Sequence, residues 1–384
     1  MKIRTITTGI PIQSLTNEMS EIERIAEFNL MAKDAFERRG YEVQTIRIAT
    51  NSWEDYFYHL STEDIISELI KIEEICQRLD VSFFNIGYAN TPTRIAIIPE
   101  IIKNTIRICT SSKIGDNEKG IDYESAWISA KVIKDISEET ENGYGNFRFC
   151  SWANCKAGIP FFPASFHDGS SSSFAIGLEC GDFAMKAFSM AKDLREAERC
   201  LKEIFEKELN TISDIAFEIS AKHNIDYRGI DPSLAPSLDI EDSIAYAYEK
   251  LGIGKFGNSG TLAISSIITK VLKDLSVKTC GYSGLMLPVC EDAGLAERAN
   301  EGTYSLTDLL LYSAVCGCGC DTIPIPGDVA IEKIQSILLD MASLAIALDK
   351  PLIARLLPIP GKKYGELTAF DSPYLIDCKI FHVK

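Results

Sequence analysis

Short apolar runs alternate with longer stretches of helical spacing along almost the whole chain, and this alternation restricts the fold more than any other feature. Lys2 to Ile10 reads as an alternating strand. From about Glu18 to Arg39, Ile22, Ile25, Ala26, Leu30, Ala32 and Phe36 recur at helical spacing, with Gly40 as the stop. Val43 to Ala49 is a second strand, and Ser61-Thr62-Glu63-Asp64 resembles a capping box opening the next helix. Strands follow at Val81 to Ile86 and Ile106 to Ser111, then a helix from Tyr123 to Glu139. Further strands are expected near Phe147 to Trp152, Ser173 to Leu178, Asp226 to Ile230 and Ile353 to Leu357, with Ser283 to Pro288 extended. Helices are expected over about Asp242 to Leu251, Gly260 to Leu275, Ser305 to Val315 and Val329 to Leu348. The stretch from Leu194 to His223 is helical throughout, and its length predicts a curve or a break. Repeated β-α units favour an α/β fold with a mainly parallel sheet covered by helices. No repeat, low-complexity tract or long linker divides the chain, so residues 1–384 are expected to form a single large domain.

Charge and composition remove several function classes. A formal net charge of -16 argues against a nucleic-acid backbone or an anionic membrane as the main partner. No apolar stretch reaches the roughly 18 to 20 residues of a membrane span, and the N-terminus lacks the pattern of a signal peptide. A cytoplasmic location is expected. The 12 cysteines are mostly scattered singly and no C-x-x-C pair occurs, so zinc-finger spacings are absent and most thiols are expected to be buried in a reducing compartment.

Chemistry concentrates in a few loops. Cys316-Gly317-Cys318-Gly319-Cys320-Asp321 reads as a tight turn carrying thiols and an acid, followed by a short extended Pro-rich run to Asp328. Three readings stay open for it: a thiolate nucleophile, a soft-metal site made by Cys316, Cys318 and Cys320, or small residues in a crowded turn. His167, beside Asp168 in an aromatic-rimmed loop, and Glu179, just past an apolar strand, are candidate acid/base groups. Asp231 follows another strand and Ser283 opens an extended run, and both are candidate substrate-binding groups. Ser259 and Thr261 open a helix whose N-terminus can hold an anion or simply be capped. Gly252-Ile253-Gly254-Lys255-Phe256-Gly257 is a literal G-x-G-x-x-G, but a helix precedes it and no acid ends a second strand at the right distance, so NAD is not expected.

Taken in order, Lys2 to Thr7, Asp231 to Ser237, Asp242 to Ala245, Gly257 to Ala263, Ser283 to Asp292, Ser313 to Cys316 and Asp321 to Asp328 resemble domain-of-unknown-function family 711. The resemblance runs over nearly the whole chain. It implies the α/β barrel of pyruvate formate-lyase and its relatives, two five-stranded parallel halves around a central loop, surrounded by helices. Cys316 and Asp321 fall on the family pattern, whereas Cys318 and Cys320 depart from it. The glycyl-radical motif of that wider fold is missing between Arg355 and the C-terminus. The expected function is therefore a non-radical enzyme acting on a small anionic metabolite in a barrel-centre pocket by acid/base or thiol chemistry. The alternative is a metal- or metabolite-binding protein without turnover; the cofactor, a metal ion included, and homo-oligomerisation are left open. The enzyme reading expects Cys316, Asp321, His167, Glu179 and Thr261 to converge on one pocket, and a scatter of them across the surface would end it.

Overall fold

The computed structural model describes the backbone of residues 1–384 and every side chain except those of residues 15–17. Its strands are β1 (Lys2–Ile10), β2 (Ile46–Thr50), β3 (Phe83–Ala89), β4 (Ile108–Asp116), β5 (Gly120–Ile121), β6 (Phe149–Ala153), β7 (Ser173–Glu179), β8 (Asp226–Asp231), β9 (Gly319–Pro326) and β10 (Leu352–Ile359). They form one 10-stranded sheet in the order β8-β7-β1-β2-β3-β4-β6-β10-β9, with β5 a short hairpin partner of β4. Pairing is parallel from β1 through β2, β3 and β4 to β6. It is parallel again within β7–β8 and within β9–β10. Two antiparallel seams, β1 against β7 and β6 against β10, join these groups.

Both faces of the sheet are covered, as near-continuous burial along β2 and β10 requires. Residues two apart share a face. Leu352, Ala354 and Leu356 of β10 join the large core beneath the helices, and Ile353 joins a smaller cluster on the other side. That inner cluster gathers Cys150, Trp152, Ile159, Tyr282, Met286 and Cys318. Its middle is a loop between β6 and β7, tied to the strands by Thr7 Oγ1 donating to Pro160 O and Asn85 Nδ2 donating to Pro163 O.

Residues 279–288 form no strand, pair only by single bridges, and lead into the 3-10 turn Val289–Glu291. Thr279 bridges Ile230, Leu285 bridges Leu234, and Gly317 N donates to Leu285 O. Here two backbones come close enough that a Cβ on Gly284 would lie 2.6 Å from Gly317 Cα. Only glycine fits at such a crossing.

Most expected elements are present. The helix Leu306–Ser313 starts with the full capping box of Ser305 and Asp308. The 30-residue helix Leu194–His223 runs without a break, and nine buried residues along it, from Ala197 to Ile219, keep one face on the core. Several elements were not anticipated, among them the short helices Trp53–Tyr56, Pro92–Ile95 and Ile98–Lys103 and the helix Gly181–Met190, which follows β7 directly. The Pro-rich run, expected only as extended, proves to be a full strand, β9. Prolines cannot donate to a ladder and so belong at a sheet's last strand. That is where Pro324 and Pro326 lie, and Pro324 O accepts Phe381 N.

Candidate functional site

A narrow cavity of about 50 Å³ lies on the inner face of the sheet, where β1 to β4 and β6 begin. Alternation along each strand supplies its floor: Arg47 of β2, Phe83 of β3, Cys109 of β4, Phe147 before β6, and Arg355 of β10. Arg4 would face outward by strict alternation with Ile6. A register shift in the β1–β7 ladder between Ile3 and Thr5 turns it inward. Opposite stand Asp321 of β9 and Cys318 just before it, Tyr282 and Met286 from residues 279–288, Glu291 from the 3-10 turn that follows, Phe161 and Phe162 from the inner loop, and Tyr374 from the C-terminal segment.

Five of these charges and neighbours form an alternating chain. Glu179 accepts from Arg4 Nη1 at 2.9 Å, and Arg4 Nη2 donates to Glu291 at 3.1 Å. The other Glu291 oxygen accepts from Arg355 Nη2, and Arg355 Nε donates to Asp321 at 2.5 Å. Gln44 Nε2 adds a bond to Glu179 at 3.0 Å. Burial opposes the charge on Arg355, yet Asp321 and Glu291 hold its pKa above the ordinary guanidinium value. For Asp321 the balance goes the other way: burial pushes its carboxyl up, against the pull of Arg355.

Arg47 stands apart from this chain. Its guanidinium lies between the rings of Phe83 and Phe162, 5.6 and 5.3 Å from their centroids. Only Nε is satisfied, donating to Thr45 Oγ1 at 3.1 Å. Among the described residues no carboxylate pairs with it, and neither Nη atom has a hydrogen-bond acceptor. Burial, and then the like charge of Arg4, lower its pKa to about 10, so it stays cationic at neutral pH. A buried arginine is ordinarily paired. This one is 8 % exposed, lines the cavity and is not.

The expected convergence of Cys316, Asp321, His167, Glu179 and Thr261 on one pocket does not occur, although all five are buried rather than scattered over the surface. Asp321 lines the cavity, and Glu179 is one link behind it through Arg4. Cys316 lies in the core beneath the helices with Cys320, whereas Cys318 faces the inner side. Strict alternation would put all three thiols on one face; the turn through Cys318, with Gly319 at a φ of 101°, breaks it and divides them between two faces. Among the described residues no group of three or more His, Cys, Asp and Glu is placed to hold a metal ion. Burial pushes the cavity's Cys109 thiol up to about 12 and the Cys318 thiol well above its ordinary value.

His167 lines a second, smaller pocket with Thr7, Gly9 and Arg228. Its backbone N–H donates to Thr50 O, its Nε2 is buried without a partner, and burial followed by the nearby Arg228 lowers its pKa. Asp231 and Ser283 do meet, but as a fastening. The Asp231 carboxylate accepts from Ser233 N and Oγ, Tyr282 N and Ser283 N, tying the end of β8 to residues 279–288. Thr261 Oγ1 accepts from Gly257 N and donates to Asn258 O within its own turn, and Ser259 is exposed.

Sequence reasoning passed over Arg4, Arg47 and Arg355. The signal was available: each is a lone arginine inside an apolar strand, in Lys2-Ile3-Arg4-Thr5-Ile6, Thr45-Ile46-Arg47-Ile48-Ala49 and Ile353-Ala354-Arg355-Leu356-Leu357. The adjacent acids Glu291 and Asp292 have separate roles. Asp292 accepts from Gly294 N and Leu295 N and caps the helix Ala293–Glu301, leaving Glu291 to the cavity.

Among the described residues no helix is long and apolar enough to cross a membrane. Comparison with known proteins finds relatives of matching length. A UPF0210 protein of Caldicellulosiruptor saccharolyticus is 28% identical over 410 residues, covering 97% of this chain and 88% of the relative. UPF0210 proteins of Ruminiclostridium cellulolyticum and Methanococcoides burtonii are each 27% identical, covering 97% and 96% of this chain and 88% of each relative. The family described as Uncharacterised ACR (DUF711) matches residues 1–371, and the chain belongs to it.

Proposed function

We propose that this chain is a non-radical enzyme that binds a small anionic metabolite in the arginine-lined cavity and acts on it by acid/base chemistry, with Asp321 as the proton-carrying group. The observation that carries this reading is that Arg4, Arg47 and Arg355 share one buried, aromatic-walled space with Glu291 and Asp321. Enclosed charges of both signs can bind an anion and move a proton in a site of low dielectric. Acid/base chemistry is preferred to thiol chemistry because burial keeps Cys109 and Cys318 protonated. Glu179 is assigned a positioning role through Arg4. His167 and Cys316, with Asp231, Ser259, Thr261 and Ser283, lie outside the cavity and have no part in this assignment.

The parallel five-strand group, the two seams and the bridges of residues 279–288 support a sheet closed as in pyruvate formate-lyase, acting as one unit over residues 1–384. The net charge of -16 supports a small molecule, rather than nucleic acid or an anionic membrane, as the partner in a cytoplasmic setting.

The test is to incubate the protein with a pool of small organic anions and follow each species by mass spectrometry, alongside Asp321→Asn. Consumption of at least one anion by the wild type, reduced at least 100-fold in the variant, is expected. Equal consumption by both proteins would remove Asp321 from the chemistry. One observation favours the second reading, binding without turnover: both Glu291 and Asp321 are already engaged by Arg355. Saturable binding with no consumption would establish it.

A further inference from the structure

We infer that the ligand of this cavity is a small monocarboxylate with a flat, apolar body, its carboxylate held edge-on by the two free Nη groups of Arg47. The inference rests on the proposed anion-binding role of the cavity and narrows it to a chemical class.

Three observations lead there. The first is the count of free charge. Arg4 is shared between Glu179 and Glu291, and Arg355 between Glu291 and Asp321, so Arg47 is the one cavity arginine with no acid of its own among the described residues. One spare positive charge matches one negative charge. A phosphoryl dianion would bring a second charge into a space that already holds the Glu291 and Asp321 carboxylates. The second is shape. Phe83 and Phe162 flank the guanidinium, and Thr45 takes Nε, which leaves the Nη edge as the open direction. A planar guanidinium approached in its own plane suits a carboxylate, which accepts two parallel hydrogen bonds. The out-of-plane oxygens of a phosphate would meet ring faces, which carry partial negative charge. The third is the remaining wall. Phe147 is stacked on Tyr374 at 5.6 Å with an interplanar angle of 13°, and Phe161, Met286, Pro288 and Ile353 complete an apolar lining for the rest of the ligand.

Isothermal titration of the full chain with benzoate, benzamide and inorganic phosphate tests this directly. Benzoate should bind one to one, benzamide and phosphate should not, and Arg47→Met should weaken benzoate at least tenfold. A second measurement needs no variant. Phenylglyoxal modification of the wild type, mapped by mass spectrometry, should label Arg47 and be slowed by benzoate but not by benzamide. Phosphate binding that depends on Arg47, with benzoate silent, would overturn the monocarboxylate class and leave the anion cavity standing. Benzoate binding that ignores the loss of Arg47, with no protection of Arg47 from phenylglyoxal, would overturn the anchor. If no anion bound or protected Arg47, both the inference and the cavity's proposed role would fall together.

Discussion

Glu291 is the residue on which the buried ion chain turns, because it alone serves two arginines. Breaking a buried pair from one side strands the partner's charge, at a cost of about 3–5 kcal/mol. Glu291→Gln should therefore lower the denaturant midpoint substantially. Glu218→Gln, which breaks only the exposed pair with Arg39, should leave it unchanged within error. Equal midpoints for the two variants would show that the chain adds no stability. Asp231 makes a prediction of the opposite electrostatic kind. Burial pushes its carboxyl from 3.8 up to about 6, despite the donors that favour the charged form. Between these values the folded state holds a proton that the unfolded state has lost, so stability falls as pH rises through the window, by about 3 kcal/mol in all. Urea denaturation at pH 4 and pH 7 should show that fall in the wild type, and Asp231→Asn should flatten it. An unchanged slope would mean that Asp231 is ionised throughout.

At the scale of elements, the crossing of residues 281–285 with the turn before β9 is the tightest backbone contact that positions the cavity wall. Gly284→Ala forces two backbones apart and should cost about 1–3 kcal/mol. It should also weaken benzoate binding, because Tyr282 and Met286 flank the crossing. A variant as stable as the wild type would show that the crossing is loose. This contact also marks the limit of what was legible in advance. Strands β1 and β7 and the helices Tyr123–Glu139 and Leu194–His223 announce themselves by local periodicity, and the structure places them accordingly. Strand β9 does not, since its glycine, cysteine and proline residues carry turn chemistry and only its place at the end of the sheet order makes it a strand. The cavity was hidden for a related reason. Acids and thiols in loops attract attention, but here the loops supply mostly aromatic and apolar walls, and three arginines on strands supply the positive charge. Whether a strand residue faces such a space depends on register, and for Arg4 on one bulge, which periodicity alone does not give.

For the whole molecule, the C-terminal segment closes what the first strands open. Leu375, Cys378, Ile380 and Phe381 are buried, Ile376 N donates to Cys290 O, and Tyr374 stands in the cavity wall. Removing residues 366–384 should lower thermal stability and abolish benzoate binding together. Retained binding in the shortened chain would show that Tyr374 is not part of the site. The antiparallel seams carry a further consequence, one that concerns synthesis. The central group from β1 to β6 is contiguous in sequence apart from its helices, but the edge of β6 is finished only by β10. Roughly 200 residues separate the two, so at about 5–20 residues per second the ribosome leaves that edge unpaired for about 10–40 s. An open strand edge is a template for pairing with other chains. The finished sheet, with β6 paired on both sides, is thus at first a nascent chain with an exposed border, and slow translation or a shortage of chaperones is where its yield will be decided.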